Sequence, residues 1–113
     1  MKIFSYKTVE AKDAGEGSSK LKVRWLITKE MGAPNFAMRV FEMEPGGHSP
    51  LHTHPWEHEV FVLKGEGVVV GEGEQRTVTH GDVVFIAPNE LHQFKNNGAA
   101  TFMFVCLVPI RDK

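Results

Sequence analysis

Two histidines one residue apart, His52 and His54, stand inside a glycine-framed stretch from Gly46 to Gly65 that also holds His48 and His58. On a strand, side chains two apart share a face, so this pair presents two imidazoles to one side. An apolar run, Val60-Phe61-Val62-Leu63, follows the pair, and His92 lies far downstream behind Pro88-Asn89-Glu90. Only a fold that sets distant short strands side by side brings these residues together. His52, His54, His58 and His92 are therefore the expected ligands of one metal ion. Glu59, or with less support Glu57, is the competing ligand to His58, which would then be a surface residue. His92 has its own alternative as a cap of the bend before it. His48 and His80 sit beside glycine turns and read as solvated loop residues.

The rest of the chain alternates short apolar runs with turn signals. Ile3 to Tyr6 reads as a short strand, Asp13 to Ser19 as a loop, and Val23 to Ile27 as a strand. Lys20, Lys22 and Arg24 read as the outer face of that strand. Thr28 to Asn35, with Gly32 and Pro34, forms a connection. Phe36 to Glu44 is a strand apolar on both faces, closed by Pro45-Gly46-Gly47. The histidine stretch follows as two short strands bent at Pro55-Trp56. Then come Gly67 to Val70, a hairpin turn over Gly71 to Glu74, a polar strand over Gln75 to Thr79, and strands over Val83–Ala87, Leu91–Phe94 and Thr101–Val108. No ten-residue stretch combines helical periodicity with caps. Many short strands at this spacing point to an all-β barrel or jelly roll, which also protects strand edges.

The 113 residues carry a formal net charge of −1, which suits one domain. N-terminal strands are expected over about residues 1–35 and a barrel core over about 36–108. No apolar run approaches the ~20 residues needed to cross a bilayer, so no membrane partner is expected. Met1 to Lys7 lacks the apolar core of a signal peptide, and a cytoplasmic location is expected. The lone cysteine, Cys106, excludes an internal disulfide and a thiolate-rich metal site. The balanced charge, with no basic cluster, argues against nucleic acid as a partner.

Gly46, His52-x-His54, His58 and Gly65 resemble the first cupin motif, G-x5-H-x-H-x3,4-E-x6-G, with His58 where the family has its glutamate. Gly81, Pro88, His92 and Asn96 match the second motif, G-x5-P-x-G-x2-H-x3-N, more loosely: His-x3-Asn is intact and the middle glycine is unmatched. The resemblance implies a small cupin barrel, the jelly-roll or double-stranded β-helix fold. It is strongest toward small single-domain cupins with a four-histidine metal site. It implies one divalent transition metal per chain, with manganese favoured; imidazole donors also suit Fe, Cu, Ni or Zn. Strands apolar on both faces and the resemblance together imply a homodimer.

Arg39, Phe104 and Cys106 fall on strands that can line the barrel, and are the pocket candidates. Arg39 either binds a substrate carboxylate, pairs with a glutamate or sits at an interface. Cys106 is either a small core residue or a pocket residue, and Trp56 either a rim residue or a dimer contact. Four neutral ligands leave the full charge on the ion, which favours anionic or oxygen-donor ligands. The leading expectation is a metal-dependent, dioxygenase-like oxidoreductase acting on a small organic substrate, because four ligands on an octahedral ion leave two positions for substrate and oxidant. The alternatives are a non-redox isomerase or lyase, and a module that binds a small ligand without turnover. Metal affinity is expected to fall as pH drops through about 6.5, since imidazole must be neutral to bind.

Overall fold

A computed structural model describes residues 1–111. Nine strands follow in order: β1 Lys12–Asp13, β2 Ser19–Ile27, β3 Phe36–His48, β4 His58–Lys64, β5 Glu66–Gly71, β6 Glu74–Thr79, β7 Val83–Ile86, β8 Gln93–Lys95 and β9 Phe102–Pro109. Every pairing is antiparallel, and the main path of the sheet runs β6-β5-β8-β3-β9-β4-β7, with β2 added beside β3 and β1 beside β2. The curled sheet is an all-β jelly-roll barrel, the architecture expected from the strand rhythm. Among the described residues, no helix is long and apolar enough to cross a membrane.

Side-chain alternation builds two apolar clusters on the two faces of the sheet. The inner face of β3, β4 and β9 supplies Ala37, Met43, Val60, Val62, Phe102, Phe104, Cys106 and Val108 to the barrel core. Phe104 anchors it, stacked on Phe94 at 4.6 Å and on Phe41 at 5.2 Å between ring centroids. Such pairs add roughly 0.5–1.5 kcal/mol each beyond burial. The opposite parity forms a second cluster of Leu26, Val40 and Met103, covered by Tyr6 and Val9. Arg24 fixes this cover: its Nη1 donates to Val9 O at 2.6 Å, and its Nε pairs with Glu42 at 3.0 Å. Both faces of β3 are thus apolar because each covers a different cluster.

Three expectations are corrected. Ile3 to Tyr6 is not a strand; Tyr6–Thr8 forms a 3-10 turn capped by the Ser5 hydroxyl. β3 does not end at Pro45-Gly46-Gly47 but runs on to His48, which pairs with Ser19 and Lys95. Gly46 adopts φ 85°, and a Cβ on Gly47 would lie 2.8 Å from Ser19 O, so these glycines admit a bend and a close backbone approach. Lastly, of the two short strands expected on either side of Pro55-Trp56, the second forms as β4 and the first does not. His52 and His92 form one isolated bridge, their backbones exchanging N–H···O bonds at 3.2 and 3.1 Å. Pro50 and Pro55 remove the donors a longer ladder would need.

Asn96, the last residue of His-x3-Asn, locks this region. It is 1% exposed, and its Nδ2 donates to Met43 O and to Ala100 O, both at 2.9 Å. Its Oδ1 accepts from Gly98 N–H, and its backbone bonds both Gly46 and Gly47. The C-terminal end of β8, opposite the end that carries His92, is thereby tied to the bend of β3.

Candidate metal centre

The fold brings His52, His54, His58 and His92 together at one end of the barrel. The bridge sets His52 beside His92, with ring centroids 4.8 Å apart. His54 follows on the same side, 5.0 Å from His52 and 4.9 Å from His92. One ligand nitrogen from each of these three lies within 4.8 Å of the others, so His52, His54 and His92 are placed to hold a metal ion. His58, the first residue of β4, adjoins them: its Nε2 is 2.8 Å from Nε2 of His54. That separation is close to the ~3 Å between neighbouring nitrogens each bound about 2.1 Å from one ion. The donor set therefore fits a divalent transition metal.

Outer contacts orient the rings. His54 Nδ1 lies 2.9 Å from Trp56 O, and its ring stacks on the Trp56 ring at 4.4 Å with 8° between planes. His92 Nδ1 lies 2.9 Å from Glu90 O. A carbonyl accepts only, so both Nδ1 atoms carry the proton and both Nε2 atoms keep a free lone pair for a metal. His58 Nδ1 lies 3.4 Å from both Arg39 Nη2 and Cys106 Sγ. Trp56 is thus a wall of the site, a role its sequence position did not decide.

Burial and like charges disfavour the protonated forms of His52, His54 and His58. Burial is the first cause that lowers the pKa of His52 and of His54, and the neighbouring His92 adds to it. For His58 burial, then the Arg39 guanidinium, pushes the value down to about 3. Cys106 moves the other way: burial raises its thiol pKa, against the pull of Arg39.

The cluster opens into a cavity of ≈ 230 Å³. The three pocket candidates, Arg39, Phe104 and Cys106, all line it. Trp25, Phe41, Phe94 and Arg111 also line it and were not singled out from the sequence. Trp25 and Arg39 are paired across β2 and β3, and Arg39 and Cys106 across β3 and β9, so one row of the inner face carries all three. Parity grouped Arg39 with Phe41 without choosing the face; the pairing that adds Trp25 depends on the β2–β3 register. Glu59 is exposed, and both Glu57 and Glu59 line a separate hollow with Phe36 and Leu107. His48 bonds the adjacent Ser49 carbonyl and His80 is exposed; neither lines the cavity.

Comparison with known proteins agrees with this architecture. The cupin domain family matches residues 39–108. The solved polyketide cyclase RemF from Streptomyces resistomycificus is 32% identical with a TM-score of 0.93, over 98% of this chain and 80% of that one. The oxalate-binding protein of Thermotoga maritima is 30% identical over 96 residues, covering 81% of this chain and 78% of that protein. The 1-methylthio-D-xylulose 5-phosphate methylsulfurylase of Rhodospirillum rubrum is 38% identical over 77 residues, which are 67% of this chain and 49% of that protein. The chain thus spans about half the length of that enzyme, and these relatives are named for different roles: a cyclase, a binding protein and a methylsulfurylase. The barrel, the paired histidine motifs and the match over residues 39–108 place this chain in the cupin family.

Proposed function

We propose that this protein is a metal-dependent enzyme that activates a small, oxygen-bearing organic molecule by polarisation. The observation that carries this reading is the histidine cluster opening directly into an aromatic-lined cavity. His52, His54, His58 and His92 would hold the ion, with manganese favoured by resemblance. A divalent metal there supplies Lewis acidity toward a substrate oxygen. The chain's own residues bind and orient the substrate: Trp56 fixes His54, and the aromatic walls hold the ligand and exclude water. The likeness to a polyketide cyclase supports a reaction of the cyclase kind over an oxidation.

The dioxygenase-like oxidoreductase is the second reading. It rests on the all-histidine donor set, which leaves room on the ion for substrate and oxidant. Turnover of a panel of phenolic and β-dicarbonyl compounds, run with zinc and with manganese, in air and without oxygen, separates the two. We expect product with zinc in the absence of oxygen. Product formed only with a redox-active metal, in step with oxygen consumption, would transfer the assignment to the oxidoreductase. Ligand retention with no product under any condition would leave a binding protein, as the oxalate-binding relative is named.

The partner expected beside the substrate is a second copy of the chain. Phe61, Leu63, Val83 and Phe85 form an apolar outer face over β4 and β7, with Val83 72% and Phe85 61% exposed. Among the described residues β7 pairs only with β4 and ends the sheet path, and an apolar edge of this kind is normally covered. Light scattering at micromolar concentration should give a dimer, and Phe85→Glu a monomer; a monomeric wild type ends this reading. We also propose a cytoplasmic location, because the free Cys106 thiol suits a reducing compartment; recovery of the protein in a secreted fraction contradicts it.

A further inference from the structure

Arg39 places a guanidinium beside the histidine cluster. Among the described residues no carboxylate lies within ion-pair distance of it, and its Nε is buried with no hydrogen-bond partner. Its Nη2 donates to Cys106 Sγ at 3.1 Å, which neutralises nothing while the thiol stays protonated. The guanidinium carbon lies 5.1 Å from the Trp25 ring centroid and 4.8 Å from that of Phe41. Two aromatic rings thus hold a planar fork beside the histidine cluster. A planar fork with unspent N–H donors matches a carboxylate, which accepts two parallel hydrogen bonds.

The remaining walls have the same character. Arg111 also lines the cavity, its guanidinium carbon 3.7 Å from the Trp56 ring centroid, and among the described residues no aspartate or glutamate lines it. A metal ion held by neutral imidazoles adds further positive charge. Trp25, Phe41, Trp56, Phe94 and Phe104 supply the flat surfaces. The volume of ≈ 230 Å³ is below that of usual drug-sized pockets, and suits one or two fused rings.

From these observations we propose that the cavity receives a planar aromatic carboxylate, and that Arg39 is the residue selecting its carboxylate. The inference rests on the reading of this cavity as the functional site. Stacking holds the ring, and the fork meets the anion beside the metal ligands. Neutral aromatic compounds leave the guanidinium unpaired, and aliphatic carboxylates leave the aromatic walls poorly covered.

The test is isothermal calorimetry with three probes: naphthoate, naphthamide and decalincarboxylate, the saturated counterpart. Each is titrated into metal-free and into zinc-loaded protein. Naphthoate should bind about 10- to 100-fold more tightly than naphthamide, and Arg39→Met should remove most of that preference. If Arg39→Met fails to fold, Arg39→Lys carries the comparison; it keeps the charge without the fork, and the preference should shrink. A full carboxylate preference in the variant overturns the role of Arg39. Equal affinity for naphthoate and decalincarboxylate overturns the aromatic half of the proposal. Because the metal-free arm is read separately, a protein that binds no metal defeats the metal reading while the Arg39 comparison still stands or falls by itself.

Discussion

Protein purified without added metal should carry about one transition-metal ion per chain, and His58→Ala should lower its affinity for that ion by about 100-fold or more. The scale follows from outer partners of metal ligands, whose loss alone costs 10- to 100-fold; a ligand contributes more. His52, His54 and His92 group without help from His58, so the claim rests on its Nε2, 2.8 Å from that of His54. If Nε2 of His58 binds the ion, the proton of the neutral ring must sit on Nδ1. That atom faces Arg39 Nη2 and Cys106 Sγ, and of these only sulfur can accept. Cys106→Val should therefore weaken metal binding about tenfold, with Cys106→Ser closer to wild type. Elemental analysis and a chelator competition read both effects. Equal affinity in wild type and His58→Ala would remove His58 from the site. Glu59, which faces outward, offers no ready replacement.

Much of this centre was readable from the sequence because it depends on short-range geometry. The His52-x-His54 spacing and the glycine frame are local, and strand parity alone put Arg39 on the side of Phe41 and Phe104 with Cys106. What the sequence did not carry is register. Trp25 reaches the cavity because the β2–β3 register sets it opposite Arg39, and no local rule fixes the register between two strands. The extension of β3 through Pro45-Gly46-Gly47 was hidden for a related reason. Glycine there reads as a turn, yet the chain needs it because β2 passes within a Cβ's reach of Gly47. Asn96 stood in the motif, but its work, bonding Met43 as well as Ala100 and Gly98 from a buried position, depends on a contact with Met43, 53 residues away. The exposed Phe61 and Phe85 obey the alternation rule for a sheet that is apolar on both sides, which a lone strand pattern cannot distinguish from a buried one.

Acid should destabilise the metal-free protein through His58 itself. The sign follows from proton counting. In the fold His58 titrates at about 3, held there by burial and then by Arg39, against the ordinary 6.5. Between those values the unfolded chain binds a proton that the folded chain does not. The stability that neutral His58 permits is whole above about 6.5 and is lost as pH falls toward about 3. At about 1.4 kcal/mol per unit, the loss is at most on the order of 4–5 kcal/mol, comparable with the lower range of domain stability. His52 and His54 shift in the same direction and steepen the decline. Urea melts of the metal-free protein at about pH 7.5 and about pH 4, for wild type and His58→Leu, isolate this contribution. Carboxylates titrate in both proteins and cancel; leucine has no proton to gain, so its pH dependence should be shallower by a few kcal/mol. Equal slopes would mean that His58 is not held neutral by its surroundings. The same depression alters the expectation for metal release. At His52, His54 and His58 protons compete with the metal at lower pH than at a free imidazole, so these three ligands yield later than the ordinary 6.5 implies.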